Sequence, residues 1–115
     1  QGRVSMLGRE FRITTTQDYN NIYRDGEKFP GKYLILYVAK NQLGQNRYGI
    51  VTSHKVGKAV VRNCIKRRLR ALVRKMDPAI KPGHDMVLVV RHHAGAADYQ
   101  QLEKDLSMVI RKAKL

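Results

Sequence analysis

The apolar positions of this chain follow a spacing of two in some segments and a helical spacing in others. Residues 33–38 and 48–53 are rich in β-branched and aromatic side chains and are separated by a polar turn, which predicts two strands. Residues 28–29 can pair as a short additional strand. Residues 86–90 are apolar without alternation, which predicts a central strand buried on both faces.

Three other segments carry apolar residues at the spacing of a helix. A helix over 16–24 is predicted to begin at a threonine cap and to stop at Gly26. A last helix is predicted after Asp98, which can cap it. The clearest helix covers Ala59–Met76, where one apolar stripe is predicted to dock on the rest of the protein. The stripe consists of Val61, Ile65, Leu69, Leu72, Val73 and Met76.

The elements follow one another in the order α-β-β-β-α-β-α, which predicts an α+β fold built as a two-layer α/β sandwich. Residues 7–115 are expected to form a single domain. Residues 1–6 are expected to be a tag remnant or a disordered N-terminus, with Met6 as a candidate natural start. The single cysteine, Cys64, excludes an internal disulfide and suits a reducing, cytoplasmic setting. No apolar run is long enough to span a bilayer, so no membrane partner is expected.

Charge changes this picture most. The 115 residues contain 23 Lys and Arg against 9 Asp and Glu, a formal net charge of +14. Between Glu27 and Asp77 there are thirteen basic residues and no acidic one. Such a block repels itself within a folded domain, so a polyanion is expected to neutralise it. The alternative is that the charge only aids solubility.

The helix predicted over Ala59–Met76 carries much of this charge opposite its apolar stripe. These side chains and the lysines just before the helix can follow a phosphate backbone. The alternative is a generic solvated face. The candidate RNA-binding residues are Lys55, Lys58, Arg62, Asn63, Lys66, Arg67, Arg68, Arg70 and Arg74.

Tyrosines supply a second candidate surface. Tyr19 and Tyr23 share one face of the first helix, and Tyr37 lies on the strand face opposite Leu34 and Leu36. Aromatic rings beside a cationic groove are typical of proteins that bind single-stranded RNA, because unpaired bases stack on them. The alternative is that these rings pack in the core with only their hydroxyl groups in water.

The sequence lacks the residues of a metal-dependent nuclease. The nine carboxylates are scattered rather than grouped for paired metal ions, and no Cys/His spacing indicates zinc. His92 and His93 are adjacent, so on an extended strand they would point to opposite faces and could not act together. Gly57 and Lys58 lack the remaining residues of a phosphate-binding loop. Binding, not catalysis, is therefore predicted.

The stretch over 55–70, KVGKAVVRNCIKRRLR, resembles the signature of the bacterial ribonuclease P protein family. The resemblance rests on the pattern Gly-x-Ala-Val-x-Arg-Asn opening a strongly basic helix, and it extends from about Leu7 to the C-terminus. It implies a ribosomal-protein-like sandwich with a left-handed βαβ crossover. It also implies that the catalytic RNA cuts the 5′ leader from precursor tRNA with Mg2+ held by RNA and substrate, while the protein binds RNA without an obligate protein partner.

The same resemblance implies roles for individual residues. The signature helix would lie against the catalytic RNA, and Arg62, Asn63, Lys66, Arg67 and Arg70 match its basic positions. A central cleft would take the leader of precursor tRNA, and its aromatic positions are matched by Tyr19, Tyr23 and Tyr37.

Two residues depart from the family pattern. Cys64 stands where an arginine is usual, and His54 stands where a lysine is usual. The loss of charge at Cys64 is expected to weaken RNA affinity modestly. Three rival functions share parts of the evidence: a ribosomal or other structural RNA-binding protein, a stand-alone nuclease, and a protein that binds membrane surfaces through its basic helix.

Overall fold

The computed structural model of the chain describes residues 12–115. The expectations for residues 1–6 and for a domain start at Leu7 lie outside these residues. The predicted order of elements is confirmed. The elements are α1 Thr16–Asp25, β1 Glu27–Pro30, β2 Leu34–Lys40, β3 Arg47–Val51, α2 Ala59–Met76, β4 His84–Val90 and α3 Tyr99–Lys112.

The four strands form one mixed sheet in the order β1-β2-β4-β3. β2 pairs with β1 and with β4 in antiparallel register, and Tyr37 of β2 lies opposite Val87 of β4. β3 pairs with β4 in parallel, so the chain must cross over the sheet between them, and α2 makes this crossover. The predicted central position of β4 is confirmed, and the hand of the crossover stays a prediction.

The main core lies between one face of the sheet and the helices α2 and α3, as the two-layer prediction requires. The inward residues of β2 and β4 pack there against the apolar stripes of the two helices. The most deeply buried of these side chains are Leu34, Leu36, Met86, Leu88, Leu69, Leu72, Leu102, Leu106 and Val109. α1 adds cover to the opposite face, where Ile13, Ile22 and Val87 form a second, smaller cluster.

The N-termini of the three helices differ in their side-chain capping. Thr15 caps α1 by accepting the Asp18 N–H at 3.1 Å, and Asp98 caps α3 by accepting the Gln101 N–H at 2.8 Å in a capping box. Both caps were predicted from the sequence. α2 has the bounds predicted for it, but Lys58 at its start makes no side-chain capping bond.

The expectation that His92 and His93 lie on an extended strand is wrong. They open a short 3-10 helix, His92–Ala96, and their rings meet edge to face with centroids 5.3 Å apart. The reason is that β4 ends at Val90, and the chain then turns to bury Ala94 beneath the helices. In the part of the chain that the structure describes, no helix is long and apolar enough to cross a membrane.

Candidate RNA interface

One side of α2 carries a row of cations without protein partners. The middle of its predicted apolar stripe is buried, with Val61 and Met76 at the two ends half-buried, and the opposite side is mostly exposed. Within residues 12–115 none of the cations in this row forms an ion pair, and the four ion pairs of that part of the chain involve only Arg24, Arg47 and Lys75 as cations. We call this row and the residues before it the α2 cationic face: Lys55, Lys58, Asn63, Lys66, Arg67, Arg70 and Arg74.

The start of α2 adds to the positive potential of this face. A helix N-terminus carries a partial positive charge that an acidic residue or a capping side chain normally offsets. α2 has neither an acidic residue in its first turn nor a side-chain cap, in contrast to α1 and α3. Gly57 leads into the helix with φ +152°, a conformation that other residues rarely adopt. The partial positive charge of this helix end therefore adds to the charge of Lys58 next to it.

Two of the predicted RNA-binding residues are partly engaged with the protein itself. Arg62 donates to His54 Nδ1 at 2.7 Å and to the Gly57 carbonyl oxygen at 3.3 Å. Arg68 donates to the Ala97 carbonyl oxygen at 3.4 Å. The Arg62 guanidinium thus contacts the segment just before α2, and the Arg68 guanidinium contacts the segment just before α3. His54, one of the two departures from the family pattern, thus orients Arg62.

The three predicted tyrosines lie together on the face of the sheet that α1 covers. The rings of Tyr23 and Tyr37 meet nearly at right angles with centroids 4.9 Å apart, and the Tyr19 ring lies 6.4 Å from that of Tyr23. Tyr23 is 38% exposed, while Tyr19 and Tyr37 are half-buried. The Lys28 ammonium lies 6.0 Å from the centre of the Tyr37 ring. We call this set the tyrosine cluster: Tyr19, Tyr23 and Tyr37.

Burial favours the neutral phenol at two positions of this cluster, Tyr19 and Tyr23, by raising the pKa. It raises the pKa of Tyr19, and burial together with the neighbouring phenols raises the pKa of Tyr23. Neutral rings suit stacking against a base near an anionic backbone, because a phenolate would repel the phosphates. Tyr19 and Tyr37 pack against the small core cluster, and all three rings keep exposed surface. Stacking of these rings on unpaired bases stays a prediction.

A pocket joins the tyrosine cluster to the α2 cationic face. Tyr19 and Arg70 both line it, together with Arg12 and Gly49, and its volume is about 190 Å³. A Cβ atom at Gly49 would lie 2.7 Å from Cε1 of Tyr19, so the ring rests directly on the backbone of β3. Tyr37, Tyr23 and Tyr19 are thus successive neighbours, and Tyr19 lies at the pocket that Arg70 of α2 also lines.

Sequence reasoning missed two residues of this pocket. Arg12 lies before the first predicted helix, and nothing in its surroundings in the sequence marks it. It reaches the pocket because residues 12–13 pair with the outer edge of β3, where the Ile13 N–H donates to the Tyr48 carbonyl oxygen at 3.0 Å. Gly49 did carry a signal, since a glycine inside a strand indicates close approach of another group.

The described residues offer no catalytic metal site. Within residues 12–115 no three His, Cys, Asp or Glu side chains come close enough to hold a metal ion. Asp85, the most central carboxylate of the sheet, is occupied by Arg47 in a two-point ion pair of 2.9 and 2.6 Å. The groups that this surface presents suit binding, with cations for phosphates and aromatic rings for bases.

A small α+β domain with a row of unpaired cations on one helix and a tyrosine cluster beside it has the features of an RNA-binding protein. Comparison with known proteins narrows the class. The family model for ribonuclease P matches residues 7–114. A ribonuclease P protein component from Syntrophomonas wolfei is 42% identical over 110 residues, which cover 96% of this chain and 92% of that protein. The chain belongs to the ribonuclease P protein family.

Solved structures agree with this assignment. An RNase P protein mutant of Staphylococcus aureus, described as defective in mRNA degradation activity, superposes with a TM-score of 0.89 at 28% identity and covers 96% of this chain and 94% of that one. The RNase P protein of Thermotoga maritima gives a TM-score of 0.81 at 27% identity, covering 88% and 96%. The chain is therefore an accessory subunit of an endoribonuclease of tRNA processing, and it associates with ribonuclease P RNA.

Proposed function

We propose that the α2 cationic face binds the catalytic RNA and that the tyrosine cluster holds the single-stranded 5′ leader of precursor tRNA. The observation that carries this proposal is the pocket shared by Tyr19 and Arg70. It places a surface suited to stacking directly next to one suited to phosphates, so the leader and the catalytic RNA can lie side by side on the protein. Arg62 and Arg68 act at the borders of this interface, since part of their bonding capacity is already used by the protein.

The protein's contribution is electrostatic and positional. Its cations neutralise closely spaced phosphates of enzyme RNA and substrate, so that less Mg2+ is needed to hold the two RNAs together. Contacts with the leader favour precursor over mature tRNA, because mature tRNA lacks the strand that the tyrosine cluster grips. Such differential binding improves substrate selection and product release.

Mg2+ belongs to the RNA partners in this proposal. Hard divalent cations bind phosphate and carboxylate oxygens. The described part of the protein brings no such group of carboxylates together. The RNA subunit and the substrate would hold the ions, and the ions would supply the electrophilic assistance for hydrolysis. The same proposal places the chain in the cytoplasm, which agrees with the free thiol of Cys64.

The test is reconstitution with a bacterial ribonuclease P RNA and a precursor tRNA. At Mg2+ concentrations too low for the RNA alone, the protein should restore cleavage at the mature 5′ end. Cleavage by the protein without RNA would favour the stand-alone nuclease instead. RNA binding without any restored cleavage would favour a structural RNA-binding protein.

A further inference from the structure

A second cationic and aromatic surface lies at the start of β2, beside α3. Tyr33 and Lys32 form one wall of an open groove of about 630 Å³, and Lys104 and Arg111 of α3 form the other. Lys32, Lys104 and Arg111 are exposed, and within residues 12–115 their charged groups make no ion pair. We call these four residues the Tyr33 surface.

The backbone at this surface is rigidly held. Asp105 is buried, and its carboxylate accepts the N–H groups of Lys32, Tyr33 and Leu34, each at 2.9 Å. Among the described residues it is the one carboxylate that lines the groove, and both of its oxygens already accept these backbone hydrogen bonds. The groove therefore offers cations to a ligand without a competing free carboxylate.

The Tyr33 ring has two polar neighbours, the Lys32 ammonium and the His93 ring. The Lys32 ammonium lies 5.3 Å from its centre, and the His93 ring lies 5.8 Å away at a tilt of 49°. His93 is itself held, because its Nε2–H donates to the Lys32 carbonyl oxygen at 2.6 Å. Stacking of a base on an aromatic ring is stronger than an exposed cation–π contact. An arriving base can thus displace the exposed Lys32 ammonium, which is then free to contact a phosphate.

This surface is continuous with the start of the α2 cationic face. The 3-10 helix His92–Ala96 packs against residues 54–56, and Gly95 lies so close that a Cβ atom there would be 2.8 Å from the Val56 carbonyl oxygen. The described residues measure only 35 × 33 × 26 Å, so an RNA bound along α2 has a short path past His92 to Tyr33.

We propose that the Tyr33 surface binds an unpaired nucleotide of the ribonuclease P RNA. The Tyr33 ring stacks on its base, and Lys104 and Arg111 contact the phosphates on either side. The inference rests on the proposed function of α2, but it assigns a separate surface on a different helix. Charge and aromatic character together favour a single-stranded nucleic acid over an acidic protein, because the latter needs no stacking platform.

The test compares two variants that each remove two exposed charges. Lys104→Gln with Arg111→Gln alters the Tyr33 surface. Lys81→Gln with Lys114→Gln is the matched control, because those lysines line a different groove that Asp25 and Glu27 also line. Affinity for a bacterial ribonuclease P RNA is measured over a range of salt concentrations. We expect the first pair to reduce the slope of log affinity against log salt by about 1.4, for two lost phosphate contacts, and the control pair to leave it unchanged.

Tyr33→Leu tests the stacking platform, with Tyr99→Leu as its control, since both rings are half-buried against the main core. We expect Tyr33→Leu to weaken RNA binding at least about fivefold and Tyr99→Leu to have no such effect. Urea unfolding verifies that each variant folds. If Tyr33→Leu does not fold, the Lys104→Gln and Arg111→Gln variant alone tests whether the Tyr33 surface binds RNA.

Equal slopes and affinities for the test and control charge pairs would overturn the inference. The proposed function of α2 is tested in the same assay by Arg67→Gln with Arg74→Gln. If that pair weakens binding and the Tyr33 surface pair does not, only the inference fails. If neither pair weakens binding, the proposed function fails with it.

Discussion

Tyr48 of β3 donates its phenolic hydrogen to the carboxylate of Asp77, at the C-terminal end of α2. Asn46 donates to the same carboxylate at 3.1 Å and accepts the His84 N–H at 2.9 Å. These bonds tie an edge strand, the central strand and the cationic helix into one unit. The orientation of α2 on the sheet therefore depends on a small polar network as well as on its apolar stripe.

Tyr48→Phe should destabilise this unit. The Tyr48 ring is buried, and the substitution removes one hydrogen bond to a charged group. The loss of this bond should lower the free energy of unfolding by about 1.5–3 kcal/mol. Urea unfolding at neutral pH measures the change. Tyr99→Phe is the control, since the Tyr99 ring is half-buried and the substitution leaves the Asp77 network intact.

The same network predicts a loss of stability at alkaline pH. Burial, followed by the hydrogen bond to Asp77, raises the pKa of Tyr48 above its usual value near 10. The folded state therefore holds this proton more tightly than the unfolded state. The stabilisation is complete below about pH 10 and is lost as the pH rises toward the folded-state pKa. Between pH 8 and 11 the free energy of unfolding should fall less steeply for Tyr48→Phe than for Tyr99→Phe. Parallel curves for the two variants would contradict a raised pKa of Tyr48.

The α2 cationic face should contribute to RNA affinity in proportion to its unpaired charges. Arg67→Gln and Arg74→Gln should each reduce the slope of log affinity against log salt by about 0.7. Lys75→Gln is the matched control on the same helix, because the Lys75 ammonium already pairs with Glu103 at 2.7 Å. Equal effects of all three substitutions would mean that net charge, not the face, sets the affinity.

The tyrosine cluster should act on the leader alone. Tyr23→Leu removes a ring that is 38% exposed, so the fold should tolerate it. We expect at least about fivefold weaker binding of precursor tRNA by the reconstituted enzyme, with no change for mature tRNA. A uniform loss for both RNAs would show that Tyr23 supports the enzyme RNA and not the leader.

Gly49→Ala should disturb the tyrosine cluster from the side of β3, on which the Tyr19 ring rests. The added Cβ atom would lie 2.7 Å from Cε1 of Tyr19, so the ring must move away from β3. Preference for precursor over mature tRNA should fall, as it does for Tyr23→Leu. Comparison of the two tRNAs within one variant provides the control, because a general loss of folded protein would affect both equally.

Asp105 should be essential for the turn between β1 and β2. Asparagine in its place can accept fewer of the three N–H groups and turns an amide donor toward them, which should cost about 1.5–3 kcal/mol of unfolding free energy. Asp98→Asn is the matched control, since asparagine caps a helix as well as aspartate does. Similar losses in both variants would show that the Asp105 bonds contribute nothing beyond those of a helix cap.

Local pattern alone determined the elements of this protein and the two faces of α2. The apolar stripe of α2 recurs at helical spacing, so the helix and its cationic side follow from positions a few residues apart. The Thr15 and Asp98 caps likewise depend on neighbours three residues away. The resemblance over 55–70 also predicted the ribonuclease P protein family, because that pattern of residues is specific.

Only the tertiary structure decided how the surfaces are joined. It placed Tyr19 beside Arg70, paired Lys75 with Glu103, and turned Arg62 toward His54 and Arg68 toward Ala97. The contacts of Asp105 with Lys32, Tyr33 and Leu34 span more than 70 residues of chain. Such contacts follow from which strands pair and which helix faces meet. Local spacing carries no information about these choices, so the pocket and the Tyr33 surface emerged only from the folded chain.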